Sequence, residues 1–117
     1  MCLKVYANGL GDDKGTHVSV FTYLMKGEND DNLKWPFRGT ITVTLLNQLQ
    51  PNSHHLCAII YDENISEVYN ARVKKRRTQG QGYHKFILHT NLSHNTEKNI
   101  VYLQNDCLHL SVDIKTN

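Results

Sequence analysis

The chain has few of the residues that mark several common protein classes. Among its 117 residues there are only three cysteines, Cys2, Cys57 and Cys107, and two prolines. Cysteines that are odd in number and far apart do not favour a disulfide framework, and they favour a reducing compartment. No apolar run approaches the length needed to cross a bilayer, and the chain opens on a strand-like pattern in place of a signal peptide. These absences predict a cytoplasmic protein without membrane insertion.

The charge is also close to balanced. Thirteen lysines and arginines face eleven acidic residues, which gives a net charge of +2. A nucleic-acid-binding domain usually carries a strongly basic face, so no nucleic-acid partner is expected. The four basic residues 74–77 precede a glycine-containing stretch and are typical of a solvated loop within the exposed segment 73–81.

Alternation of apolar and polar residues is the main structural pattern that is present. In segment 40–46, Ile41, Val43 and Leu45 alternate with threonines, which predicts a strand with one buried face. The same reading predicts strands at 3–7, 16–25, 56–61, 83–89 and 108–114, while segment 99–103 is short and apolar. Segment 62–72 fits neither period, and no stretch shows sustained helical periodicity. Many short strands with crossovers predict an all-β antiparallel sandwich.

Segment 33–39 contains the only tryptophan and one of the two prolines, between two predicted strands. Proline cannot donate to a strand ladder, so Pro36 marks a connection between strands. Trp35 and Phe37 place a large apolar group on each side of it. The pattern therefore predicts a rigid crossover that plugs one end of the sandwich.

Seven segments together resemble the C-terminal TRAF or MATH domain of the TNF receptor-associated factors. In chain order they are MCLKVYANG, GTHVSVF, MKGE, LKWPF, VTLLNQ, GYHKF and YLQNDCL, which begin at residues 1, 15, 25, 33, 43, 82 and 102. They follow the order of the family across nearly the whole chain. The resemblance implies a TRAF/MATH β-sandwich over residues 1–117.

In that family, the residues matching Met1 and Cys2 lie inside the domain, after its first strands. The resemblance therefore implies an N-terminally truncated domain with a sheet edge exposed to another chain. The family also places a coiled coil, and usually zinc fingers and a RING ubiquitin ligase domain, further upstream. Accordingly a homotrimer is expected of the full-length parent, and a weak trimer or none of this chain.

The resemblance implies a non-enzymatic signalling adaptor. Such domains bind extended peptide motifs in the tails of TNF-receptor or Toll-type receptors, or in signalling adaptors, by adding the peptide as a strand beside a sheet edge. They couple those partners to ubiquitin-dependent signalling, and no cofactor is expected. An alternative within the same fold is a MATH module that recruits substrates to a ubiquitin ligase complex.

The resemblance places six residues in the peptide groove: Lys4, Tyr6, Phe21, Ser66, Gly82 and Tyr83. The aromatic rings would line the groove, Lys4 would contact an acidic peptide residue, and Gly82 would lie at the peptide-pairing edge. Without the family, the residues alone favour core or rim positions for the rings of Tyr6 and Phe21 and a solvated strand position for Lys4.

Three positions depart from the family pattern. Leu10 replaces an aspartate, segment 65–67 keeps only Ser66 of a serine cluster, and Gln81 replaces a phenylalanine of one branch. The motif preferences of known relatives are therefore not carried over to this chain.

Seven histidines also raise the alternatives of a metal site and of a Cys/His hydrolase. His54, His55 and Cys57 are close in sequence, but no second pair stands at ligand spacing, whereas zinc takes four donors or three and water. A nucleophile at Cys57 or Cys107 has no supporting motif. The sequence predicts neither a metal site nor catalysis.

Overall fold

Two three-stranded antiparallel sheets pack face to face in the computed structural model, which describes residues 1–74 and 76–117. The first sheet has the order β1 (Cys2–Tyr6), β2 (His17–Tyr23), β5 (Gln81–Leu88). The second has the order β4 (His55–Tyr61), β3 (Gly39–Leu45), β8 (Leu110–Thr116). A short hairpin of β6 (Leu103–Gln104) and β7 (Cys107–Leu108) precedes the last strand. The predicted antiparallel β-sandwich is confirmed.

The remaining elements are short. In the described residues they are one helix, α1 (Glu67–Asn70), and 3-10 turns at Gly11–Asp13, Asp30–Asn32 and His89–Asn91. None of the helices in the described part of the chain has the length and apolar character required to cross a bilayer.

The core lies between the sheets, where the alternating residues predicted it. Val43 on β3 and Val20 on β2 are fully buried, and Tyr61 on β4 is equally enclosed. The Tyr61 hydroxyl lies 2.6 Å from Oγ1 of Thr22, which links the two sheets by a buried hydrogen bond. Burial of the phenol raises the pKa of Tyr61, so the hydroxyl stays neutral at physiological pH.

The crossover before β3 closes one end of the sandwich through Phe37. Its ring meets the ring of Tyr61 edge to face, with centroids 5.1 Å apart. The backbone amide of Phe37 donates to the backbone carbonyl of Asn70 (2.8 Å). The side-chain amide of Asn70 donates in return to the backbone carbonyl of Phe37 (3.0 Å). Trp35 and Phe37 are both half-buried, and Nε1 of Trp35 donates to the carbonyl of Asp30. Phe37 packs against the hydrophobic core between the sheets.

The short apolar segment 99–103 has a buried residue, Val101, and ends at Leu103, the first residue of β6. The structure corrects one local prediction. Segment 73–81 was predicted to be an exposed loop, but Val73 is buried and Arg77 forms a β-bridge with Met25. Lys75, which was included in the predicted solvated basic run, lies outside the described residues.

Candidate functional site

Four of the predicted groove residues lie on one face of the first sheet. Directly opposed residues in an antiparallel pair share a face, and Phe21 on β2 lies opposite both Lys4 on β1 and Gly82 on β5. Tyr6 shares this face because it is two residues from Lys4. We call this surface the outer face, because the buried residues Val18 and Val20 point the other way.

Aromatic rings form the centre of the outer face. The centroids of Tyr6 and Phe21 are 6.2 Å apart, and those of Phe21 and His84 are 4.9 Å apart, both in edge-to-face geometry. Phe21 is buried beneath its neighbours, whereas Tyr6 is half-buried. A hydrogen bond with Tyr23 raises the pKa of Tyr6, so its hydroxyl remains neutral. The face thus offers apolar edges and a neutral hydroxyl to a ligand.

Two cations flank Tyr23 at one end of the outer face. The Arg77 guanidinium carbon lies 4.0 Å from the ring centroid of Tyr23, and Nζ of Lys4 lies 5.4 Å from it. Both distances are within the range of cation–π attraction. Neither cation takes part in a salt bridge with the described residues, whose ion pairs involve Arg38, Arg72 and His17. This end of the face can therefore receive a carboxylate.

Arg77 was missed in the sequence analysis. Its position follows from pairing: Thr78 donates to the carbonyl of Leu24, and Lys26 donates to the carbonyl of Arg76. This brings the segment beside the end of β2, where Tyr23 lies. Within four consecutive basic residues, no sequence signal distinguishes the one that would turn onto an aromatic ring.

The outer edge of β5 borders the face. Within residues 1–74 and 76–117, β5 pairs only with β2, so its other edge has no partner strand. The segment before β5 is held by a hydrogen bond from the backbone amide of Gln79 to the carbonyl of Val68 (3.0 Å). The C-terminal part of β5 is held by His55, whose Nε2 lies 2.6 Å from the carbonyl of Phe86. The open stretch is therefore 81–85.

A shallow depression of about 550 Å³ lies beside this stretch. Its walls are residues 82–85 on one side and the turn Gly11–Asp13 on the other. Asp12 and Asp13 make the turn side acidic, while His84 and Lys85 stand opposite. The depression leaves room for a further chain along β5.

Gly82 has a packing reason to be glycine. A β-carbon there would lie 2.1 Å from the carbonyl oxygen of Val20, far inside van der Waals contact. The register also shifts nearby, since Val18 pairs with Ile87 but Val20 pairs with Tyr83. This bulge leaves the carbonyl of His84 to accept from Oγ of Ser19 at 2.6 Å.

The structure does not bring Tyr83 and Ser66 into this group. Tyr83 lies opposite Val20 and so faces the second sheet, where its hydroxyl donates to the carbonyl of Ala58 at 2.7 Å. Ser66 is the N-cap of α1, and its hydroxyl accepts from the amide of Val68 at 3.4 Å. Each side chain has a structural role at its observed position.

The histidine and cysteine residues named for catalysis are engaged elsewhere. Nδ1 of His54 accepts from the amide of Asn47 at 2.9 Å, while His55 bonds to β5. Burial raises the pKa of the Cys57 thiol to about 11, so it is protonated at neutral pH and a poor nucleophile. Within the described ranges, His, Cys, Asp and Glu form no group of three able to hold a metal ion.

Comparison with known proteins supplies the family. A family model described as TRAF/meprin, MATH domain matches residues 1–111. TNF receptor-associated factor 5 of Mus musculus is 34% identical over 114 residues, which cover 97% of this chain and 20% of the mouse protein. TNF receptor-associated factor 2 of Homo sapiens is 52% identical over 48 residues, covering 41% of this chain and 10% of that protein.

A solved structure agrees with this. The structure of Notothenia coriiceps TRAF5 superposes with a TM-score of 0.83 at 28% identity, covering 98% of this chain and 55% of that chain. The chain thus spans about a fifth or less of the curated relatives named above. Sequence and fold agree, and the chain belongs to the TRAF/meprin MATH domain family.

Proposed function

We propose that this chain is a non-enzymatic protein-interaction module of a signalling adaptor and that it binds an extended peptide along the outer edge of β5. The observation that carries the proposal is the outer edge of β5 at 81–85, which has no partner strand among the described residues and lies beside the outer-face rings of Tyr6 and Phe21. An added strand would bond to the free backbone groups of β5, and its alternate side chains would reach the rings.

The charges indicate the class of peptide. Lys4 and Arg77 flank Tyr23 without an acidic partner in the described part of the chain. An aspartate or glutamate of the bound segment would meet both cations there. Because Lys4 presents a compact ammonium, the bidentate contact with such a carboxylate would come from Arg77.

The names of the relatives support the class of partner. The relatives are called TNF receptor-associated factors, which supports a receptor-linked partner. The ligands that we propose are cytoplasmic tails of TNF-receptor or Toll-type receptors, or signalling adaptors. Coupling of those partners to ubiquitin-dependent signalling, and trimerisation, would belong to the parent protein. One added strand with few buried anchors supports an affinity of roughly micromolar class for a single site. Clustering of several sites would then set the strength of the response.

Calorimetric titration of acidic, glutamine-containing receptor-tail peptides tests the proposal. A peptide that binds is compared with the same peptide carrying N-methyl groups on the amides that would face β5. We expect N-methylation to abolish binding, because those amides can no longer donate to the strand. Binding that withstands N-methylation would contradict strand addition.

Protein variants locate the site. Tyr6→Ala and Lys4→Ala should each weaken binding, whereas Leu56→Ala and Lys98→Ala, on exposed residues elsewhere, should not. Circular dichroism verifies that each variant is folded. Equal affinity in all four variants would remove the outer face from the account.

A further inference from the structure

Arg77 belongs to two surfaces of the domain. Its guanidinium lies over the ring of Tyr23 at one end of the outer face. Arg77 also lines a small depression of about 170 Å³, whose other walls are the start of α1 and residues 71–74. A change of charge in this depression would therefore act on Arg77, and through Arg77 on the outer face.

The walls of the depression are mainly cationic. Arg72, Lys74 and Arg77 line it, and Glu67 is the acidic residue on its wall. Arg72 pairs with Asp31, whereas Lys74 and Arg77 form no salt bridge with any residue in the ranges 1–74 and 76–117. Lysine and arginine side chains that converge without acidic partners are suited to hold a phosphate group.

Thr78 lines the same depression and supplies a hydroxyl there. Its side chain is half-buried, and Oγ1 accepts a hydrogen bond from the backbone amide of Leu24 at 2.9 Å. Segment 76–79 makes three backbone hydrogen bonds to the rest of the described domain, through Arg76, Thr78 and Gln79. A segment with so few bonds can open locally while the sandwich stays folded. The Thr78 hydroxyl can thus reach an enzyme.

The residues before Thr78 carry the charge pattern that one class of protein kinases selects. Residues 74–77 are Lys-Lys-Arg-Arg, and Thr78 follows them directly. Kinases choose substrates in large part by the charges that flank the acceptor hydroxyl. Lys74, Arg76 and Arg77 are exposed, so their side chains are accessible to acidic pockets of such a kinase.

We propose that Thr78 is a phosphorylation site for a protein kinase directed by basic residues, and that Lys74 and Arg77 hold the phosphate. ATP is the co-substrate. The bond between its γ-phosphorus and the β–γ bridging oxygen breaks, and a bond from Oγ1 of Thr78 to that phosphorus forms. ADP leaves, and the hydroxyl proton passes to the carboxylate base of the kinase.

Phosphorylation would change the charge beside the outer face. A phosphothreonine carries about −1.5 to −2 charges at pH 7 and three acceptor oxygens. Because Arg77 is adjacent to Thr78 and lines the same depression, pairing with the phosphate would draw its guanidinium from the ring of Tyr23. The affinity for an acidic segment would then fall. This consequence rests on the proposed function, whereas phosphorylation of Thr78 does not.

Incubation of the 117-residue chain with ATP and the catalytic subunit of cyclic-AMP-dependent protein kinase tests the site. Tandem mass spectrometry should locate the phosphate on Thr78 and on the serine of Thr78→Ser, whereas Thr78→Val should lose it. Arg76→Ala should slow the transfer by about tenfold, while Arg38→Ala, at an exposed arginine elsewhere, should leave the rate unchanged. A chain that takes no phosphate on Thr78, or transfer that is indifferent to Arg76, would overturn the proposal.

Phosphorus NMR tests the pairing with Arg77 without any peptide. The phosphate of the phosphorylated wild type should titrate at a lower pH than that of phosphorylated Arg77→Ala, because a nearby cation favours the doubly charged form. Titration at the same pH in both proteins would overturn the placement of the phosphate beside Arg77.

Calorimetry with an acidic receptor-tail peptide tests the consequence for binding. Phosphorylation should raise the Kd by about tenfold in the wild type and by less in R77A, which already lacks the cation. Equal affinity of the phosphorylated and unmodified wild type would sever Thr78 from the outer face. An unmodified chain that binds no peptide would contradict the proposed function instead, and the phosphate position and its titration would still decide whether Thr78 is the site.

Discussion

The guanidinium carbon of Arg77 lies 4.0 Å from the ring centroid of Tyr23. Arg77 is held beside the end of β2 by a β-bridge to Met25. This contact turns one member of a basic run onto the outer face, near Lys4. The cationic end of the face is thus built by two segments more than seventy residues apart in sequence. It determines which charge a bound segment should carry there.

Arg77→Ala should weaken binding of an acidic peptide by about two- to fivefold, as expected for an exposed charge contact. The control is Arg38→Ala, which removes an exposed arginine that lies near Glu63. Titrations at low and high salt provide the measurement, since screening should reduce the affinity of the wild type more than that of R77A. Identical salt dependence in the two proteins would contradict a role for Arg77.

Gly82→Ala should lower the free energy of unfolding by about 1–3 kcal/mol, because a β-carbon there collides with the carbonyl oxygen of Val20. Gly27→Ala is the matched control, since its β-carbon would meet only Asp30 at an ordinary contact distance of 3.4 Å. Urea unfolding measures both. If the two variants are equally stable, the close approach of β5 to β2 is not as described.

Tyr61→Phe should cost about 1 kcal/mol, because it removes the buried hydrogen bond between the Tyr61 hydroxyl and Thr22. Tyr83→Phe removes a hydrogen bond to Ala58 from an exposed ring, where water can replace the lost partner. Its effect should be smaller. A larger loss in Y83F than in Y61F, measured by chemical denaturation, would argue against Thr22 and Tyr61 as the link between the sheets.

The thiol of Cys57 should make stability depend on pH in the alkaline range. Its pKa is raised by burial from 9.0 to about 11 in the folded protein, so the native state holds the proton more tightly than the unfolded state. This stabilisation is complete below pH 9 and is lost as the pH rises from 9 through 11. Cys57→Ala should lose less stability than the wild type between pH 8 and pH 10.5 in urea titrations. An equal loss in both proteins would assign the pH dependence to other groups.

The alternation of apolar and polar residues allowed much of the fold to be predicted, because the apolar side chains of a strand such as β3 are stable only when they are buried. Ile41, Val43 and Leu45 are all buried, as their spacing indicates. The same rule bears on the site: Gly82 and Tyr83 are adjacent in a strand and must point to opposite faces. The family pattern grouped them, whereas the structure separates them.

Other features had no local signal. The place of Arg77 depends on pairing with Met25, fifty-two residues away, and the helix at Glu67–Asn70 is a single turn too short to show a period. Ile114 is exposed although it alternates with polar residues as a core residue would, because its burial depends on which other elements pack over β8. Such features arise from tertiary contacts and could not be read from the sequence.

Hydrogen exchange of the backbone amides, with and without a saturating acidic peptide, tests the central claim most directly. The account predicts new protection in residues 81–85 of β5, while protection in β8 stays unchanged. Protection confined to other strands, with residues 81–85 exchanging as fast as in the free protein, would contradict peptide binding at the β5 edge.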